Sequence, residues 1–97
     1  MATFIVLGNF TEQGLRAVKQ TTKRAEAAQA AAKEVGVTMR EIFWTQGQYD
    51  MVSIVEAPDE AALTAFGLTL AGAGNVRTQT LRAFTKGEME KILTKVA

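Results

Sequence analysis

Phe43-Trp44-Thr45-Gln46-Gly47-Gln48-Tyr49-Asp50-Met51-Val52-Ser53-Ile54-Val55-Glu56 reads as two strands folded back on each other. Residues 37–46 alternate well enough for one strand. Residues 49–56, rich in Val, Ile and Tyr, form the returning strand. Gly47-Gln48 is a two-residue connection, and Gly in its first position suits a type II′ turn. With that turn Gln46 faces Tyr49 and Trp44 faces Met51. Trp44 and Tyr49 then share one face of the strand pair, and Asp50 lies on the other with Phe43 and Val52.

The flanking segments complete a pattern. Thr3-Phe4-Ile5-Val6-Leu7 is a β-branched, apolar run that ends at Gly8-Asn9. Thr11 is a helix N-cap with Glu12 in the first turn, and Gly14 weakens that start. A break is expected near Thr21-Thr22, with Thr22 capping a second segment over residues 23–35. That segment is Ala-rich, turns Lys23, Arg24, Glu26, Lys33 and Glu34 to solvent, and ends at Gly36. After the hairpin, Pro58 and Asp59 open a helix whose Leu63, Phe66 and Leu70 repeat at helical spacing. Gly72-Ala73-Gly74-Asn75 ends it. Residues 76–84 form the last strand, and residues 87–96 a terminal helix with Met89, Ile92, Leu93 and Val96 on one side.

The order β-α-β-β-α-β plus a helix predicts an α+β, ferredoxin-like domain spanning residues 1–97. Chain-crossing rules put the first strand inside the sheet beside the third. Helices cover one sheet face only. Ile42, Trp44 and Met51 are expected on the other face, where a second copy would pack to give a dimeric α+β barrel.

Composition narrows the chemistry. The 97 residues carry eleven Lys and Arg against ten Asp and Glu, a formal charge of +1. That balance, with no stacking platform beside Arg77, Arg82 and Lys86, argues against nucleic acid as a partner. There is no Cys and no His, so thiolate catalysis, Cys/His metal sites and a His-based triad are excluded. Glu41, Asp50 and Glu56 have no ligand spacing, so no metal and no cofactor is expected. No apolar run reaches the roughly 20 residues of a membrane span. The opening Met1-Ala2-Thr3 lacks a basic stretch, and a cytoplasmic location is the expectation.

Several segments, in order, resemble one family. Gly47-Gln48-Tyr49-Asp50 looks like the G-x-Y-D signature of the GYD domain family. Thr11-Glu12-Gln13-Gly14 resembles its T-x-Q-G opening, and Lys23-Arg24-Ala25-Glu26-Ala27 its helical segment. Phe43-Trp44-Thr45 precedes the hairpin and Glu56-Ala57-Pro58-Asp59 follows it in the same way. Gly74-Asn75-Val76-Arg77-Thr78 and Thr80-Leu81-Arg82-Ala83-Phe84 resemble the family's last strand. The resemblance implies a small bacterial protein of the dimeric α+β barrel type. It names no activity.

Topology places candidate site residues together. The first strand ends where the third and fourth begin, so Asn9, Thr11, Tyr49, Asp50 and Arg77 share one end of the sheet. Asn9 and Thr11 would supply hydrogen bonds and Arg77 a countercharge for an anion. Trp44 and Tyr49 would form an aromatic wall, and Asp50 an orienting carboxylate. A purely structural reading competes at each position. Asp50 can pair with Arg77 or cap the first helix, and Trp44 and Tyr49 can pack an interface. The leading expectation is a homo-oligomeric binder of a small anionic or aromatic metabolite. A cofactor-free monooxygenase or isomerase with Tyr49 as proton-transfer group is one alternative. A structural assembly protein without a ligand is the other.

Overall fold

A computed structural model describes all 97 residues, Met1–Ala97. The elements in chain order are β1 (Ala2–Phe10), α1 (Glu12–Arg16), a 3-10 turn (Val18–Gln20), α2 (Thr21–Glu34), β2 (Thr38–Trp44), β3 (Met51–Ala57), α3 (Glu60–Ala73), β4 (Val76–Ala83) and α4 (Lys86–Leu93). The four strands form one antiparallel sheet in the order β2-β3-β1-β4. This is the ferredoxin-like order, with β1 inside the sheet between β3 and β4.

Capping residues set the helix ends. Thr11 Oγ1 accepts the Gly14 N–H, and Asp59 Oδ1 accepts the Ala62 N–H at 2.8 Å. Gly74 ends α3 at φ +81°, a conformation glycine adopts without strain. The break after α1 falls at Ala17–Gln20, earlier than Thr21-Thr22, and Thr22 caps nothing. Thr21 is the first residue of α2 instead, and its hydroxyl accepts from Trp44 Nε1–H. Gly14 is also more than a weak helix former. A Cβ at this position would stand 2.1 Å from the Asn75 carbonyl oxygen, so the approach of the α3–β4 connection to α1 requires glycine.

The core lies between the sheet and the pair α2 and α3. Phe4, Val6 and Val55 from the sheet meet Ala32 of α2 and Leu63 and Phe66 of α3. Strand pairing then fixes both faces. Leu7 pairs with Val52 and Gln79, Ile5 with Ile54 and Leu81, and Val52 with Phe43. These residues alternate with the core positions and therefore occupy the opposite, open face. Phe43 is 53% exposed there and Leu81 40%.

The face expected for Ile42, Trp44 and Met51 is corrected. Ile42 and Met51 line the space beneath the helices, and Trp44 bonds to α2. Alternation fixes which residues share a face but not which of two apolar faces the helices take, and they take this one. The turn is also longer than expected: six residues, Thr45–Asp50, lie between the strands in place of two, so β2 ends at Trp44 and β3 begins at Met51. Gly47 still has a positive φ, +104°. The Trp44–Met51 pairing stands, but Tyr49 leaves the strand and no longer shares a face with Trp44.

α4 begins with a capping box, Thr85 Oγ1 accepting from Glu88 N–H and Glu88 Oε1 accepting from Thr85 N–H. It ends at Leu93, three residues short of the expected end, and buries none of its residues. The Thr85 backbone bond, with Arg82 nearby, holds the Glu88 carboxyl below its ordinary 4.5. A carboxyl lowered by folding stabilises the folded form above its unfolded pKa, and loses that contribution as pH falls through the folded value. NMR secondary shifts of residues 86–93 are thus expected to lose helical character on acidification below the usual carboxylate range. Glu88→Gln is expected to flatten that dependence.

Candidate functional site

The turn Thr45–Asp50 is pinned to the end of β1. Asp50 N–H donates to the Gly8 carbonyl and Asn9 Nδ2 donates to the Gln48 carbonyl, at 2.9 and 2.8 Å. Phe10 N–H donates to Asp50 Oδ2 at 2.9 Å. The carboxylate thereby continues the ladder of β1 one step past the end of β3. Asp50 neither pairs with Arg77 nor caps α1, since Thr11 is that cap. Thr11 is fully committed to the fold. Its N–H donates to the Asn75 carbonyl, and its hydroxyl donates to the Gly74 carbonyl while accepting from Gly14.

Three of the expected site residues do come together. Asn9, Tyr49 and Arg77 line a shallow groove on the open face with Leu7, Thr78 and Gln79. The Tyr49 hydroxyl donates to Gln79 Oε1 at 2.9 Å, which fixes the ring over β4. Arg77 takes part in none of the three ion pairs of the chain. Trp44 lies outside this groove, with its Nε1–H donating to Thr21 Oγ1 at 3.0 Å. Gln79 is a groove residue that the sequence reading missed. A single Gln on an exposed strand gives no signal until the register places it opposite Leu7.

A second space lies under the helices and was also unforeseen. A cavity of about 270 Å³ separates the sheet from α2 and α3. Val6, Met39, Ile42 and Met51 form its floor, and Ala28 and Leu70 lie in its roof. Its one charged lining residue is Arg24, a difference from the solvent position expected on an amphipathic helix. The run Ala25, Ala27, Ala28 and Ala31 was the available signal: small side chains facing a sheet leave space between the layers.

No group of three or more Asp and Glu side chains is placed to hold a metal ion. No helix is long and apolar enough to cross a membrane. What the site offers chemically is an unpaired guanidinium, a phenol and an amide at one sheet end.

The model of the GYD domain matches residues 4–93, nearly the whole chain. The chain belongs to the GYD domain family. This GYD protein is 36% identical over 90 residues to the glutamine synthetase and cystathionine beta-lyase binding protein of Thermus thermophilus. The match covers 92% of this chain and 95% of that protein. The GYD chain is also similar to the crystal structure of TTHA0845 from Thermus thermophilus, with a TM-score of 0.57 and 26% identity. That likeness covers 88% of this chain and 95% of the other.

Proposed function

We propose that this GYD protein is a binding protein that assembles in pairs, sheet against sheet, and binds its target without transforming it. The observation that carries the reading is the open face. Ile5, Leu7, Phe43, Val52, Ile54 and Leu81 form an apolar strip across all four strands with no helix of the chain upon it. A self-complementary strip of this kind suits a two-fold contact between identical chains. The uncovered Met89, Leu93 and Val96 of the terminal segment point the same way.

In such a pair the groove of Asn9, Tyr49 and Arg77 lies at the rim of the contact. There Arg77 takes an acidic group, Asn9 a hydrogen bond and Tyr49 a flat apolar body. Thr11 and Asp50 hold the groove's backbone from behind. The name of the Thermus relative supports binding over catalysis and extends the reading to protein targets, whose surface carboxylates the same groove would take.

Light scattering tests the assembly. The wild type is expected at twice the chain's 10.5 kDa, and Ile54→Lys at 10.5 kDa with its circular dichroism unchanged. An Ile54→Lys protein that keeps the wild-type mass would sink the pairing. For the groove, 4-hydroxybenzoate is the probe. Saturable NMR shifts at Tyr49 and Arg77 that vanish in Arg77→Met are expected, and equal shifts in both proteins would refute the role of Arg77.

A further inference from the structure

The cavity beneath the helices lies on the other side of the sheet from the groove and stands independently of the open-face reading. Protein interiors pack tightly and retain few voids larger than a water molecule. Here the sheet and the two helices part into a cleft of about 270 Å³ that opens to solvent. An apolar cavity of roughly 150 Å³ takes benzene, so this one admits a body nearly twice that size.

Its lining is arranged along one axis. Thr21 and Arg24 come from the start of α2, and Asn75 and Thr78 from the start of β4. Both starts lie at the sheet end where β1 and β2 finish, because Thr11 N–H bonds to Asn75 and Trp44 bonds to Thr21. Away from that end the lining is mostly apolar, Thr69 and Ser53 excepted, and includes the core residues Phe66, Val6 and Met39. One polar group is left without a role. Nη1 of Arg24 is buried and has no hydrogen-bond partner. Arg24 makes no ion pair either. A buried guanidinium nitrogen without an acceptor is costly, and native structures rarely keep one without a reason. Ser53, buried on β3, adds a hydroxyl to the floor.

We propose that this cavity binds a small amphiphilic monocarboxylate, its acid group on Arg24 and its apolar body running towards Phe66 and Met39. The carboxylate supplies the acceptor that Arg24 lacks, and the body fills the space that the alanines of α2 leave.

The test uses octanoate, 1-octanol and octylammonium, with the fluorescence of Trp44 as readout. Trp44 is the sole Trp of the chain, and its bond to Thr21 couples it to the cavity wall. Octanoate is expected to give a saturable change, with octanol at least tenfold weaker and octylammonium inactive. Arg24→Met is expected to bring octanoate down to the level of octanol while octanol binding persists. Ala31→Leu, which puts a larger side chain into the cavity, is expected to weaken both at least tenfold. Circular dichroism checks that each variant folds, and if Ala31→Leu does not, Arg24→Met decides alone. Equal affinity for octanoate and octanol in the wild type overturns the proposal. So does an octanoate preference that survives Arg24→Met, or the lack of saturable binding by any of the three. The molecular mass, measured separately, reports on the pairing and is not expected to change with octanoate.

Discussion

Gly14→Ala is expected to lower the stability of the chain by about 3 kcal/mol or more, a loss large for one methyl group. The new Cβ would stand 2.1 Å from the Asn75 oxygen, 3.0 Å from its carbonyl carbon and 3.3 Å from its Cα. These are backbone atoms, and the segment that carries them is clamped. Thr11 holds Gly74 and Asn75, and Gln13 Nε2 donates to the Ala73 carbonyl and to Asn75 Oδ1. Relief therefore requires breaking the contact between α1 and the α3–β4 connection. A domain this small loses roughly 4–8 °C in Tm per kcal/mol, so the shift is easily read by thermal unfolding. Gly67→Ala is the control. It sits within α3 with nothing within 4 Å of the added Cβ. It is expected to leave Tm unchanged or raise it slightly, since Ala is the better helix former. A Gly14→Ala protein as stable as Gly67→Ala would show that the close approach does not exist.

Asp50→Ala is expected to cost about 1–3 kcal/mol, because it leaves the Phe10 N–H without its acceptor at a half-buried strand end. Asp50→Asn is expected to fall between the wild type and Asp50→Ala, since an amide oxygen can still accept. Arg77→Met, by contrast, is expected to stay within about 0.5 kcal/mol of the wild type. The two residues share no ion pair, so a double variant should show the sum of the single effects. Chemical denaturation of the four variants checks this. A large loss from Arg77→Met, with strong coupling to Asp50, would restore the paired reading that the sequence leaves open.

The contrast shows what the sequence could and could not disclose. Element order, the position of β1 beside β3, the Thr11 and Asp59 caps and the core residues Leu63 and Phe66 are all local or periodic signals, and each is present in the structure. The hairpin is legible in its pairing but not in the length of its turn. Gly47 does have a positive φ, which made a two-residue turn plausible, but the strands stop at Trp44 and Met51. The Trp44–Met51 register was right, but alternation with a period of two says only which residues share a face, and with both faces apolar it does not say which one the helices cover. The apolar open face was anticipated, but from the wrong residues. Ile5, Ile54 and Leu81 make it instead.

The site was legible as a neighbourhood and not as a set of contacts. Topology brought Asn9, Tyr49, Asp50 and Arg77 to one sheet end, yet only hydrogen bonds separate the residues that hold that end from those that line it. Asp50 and Thr11 satisfy backbone groups. Tyr49 and Arg77 line the groove. Arg24 was hidden for a different reason. A cation on an Ala-rich amphipathic helix belongs in water by pattern, and only the layer spacing above a small-residue surface draws it inward.

In the proposed pair, a second copy covers the open face of the sheet. Mass alone does not say which face is covered, but the chain has no cysteine, so one introduced thiol reports its own surroundings. Leu81→Cys, at an open-face position 40% exposed in the single chain, is compared with Ala30→Cys on the exposed side of α2. The decisive measurement is the rate at which each thiol reacts with a water-soluble disulfide reagent, with and without Ile54→Lys. The predicted result is a slow Leu81→Cys thiol that becomes as fast as Ala30→Cys once Ile54→Lys is added. A Leu81→Cys thiol as reactive as Ala30→Cys from the outset would contradict the claim, because the face would then be bare.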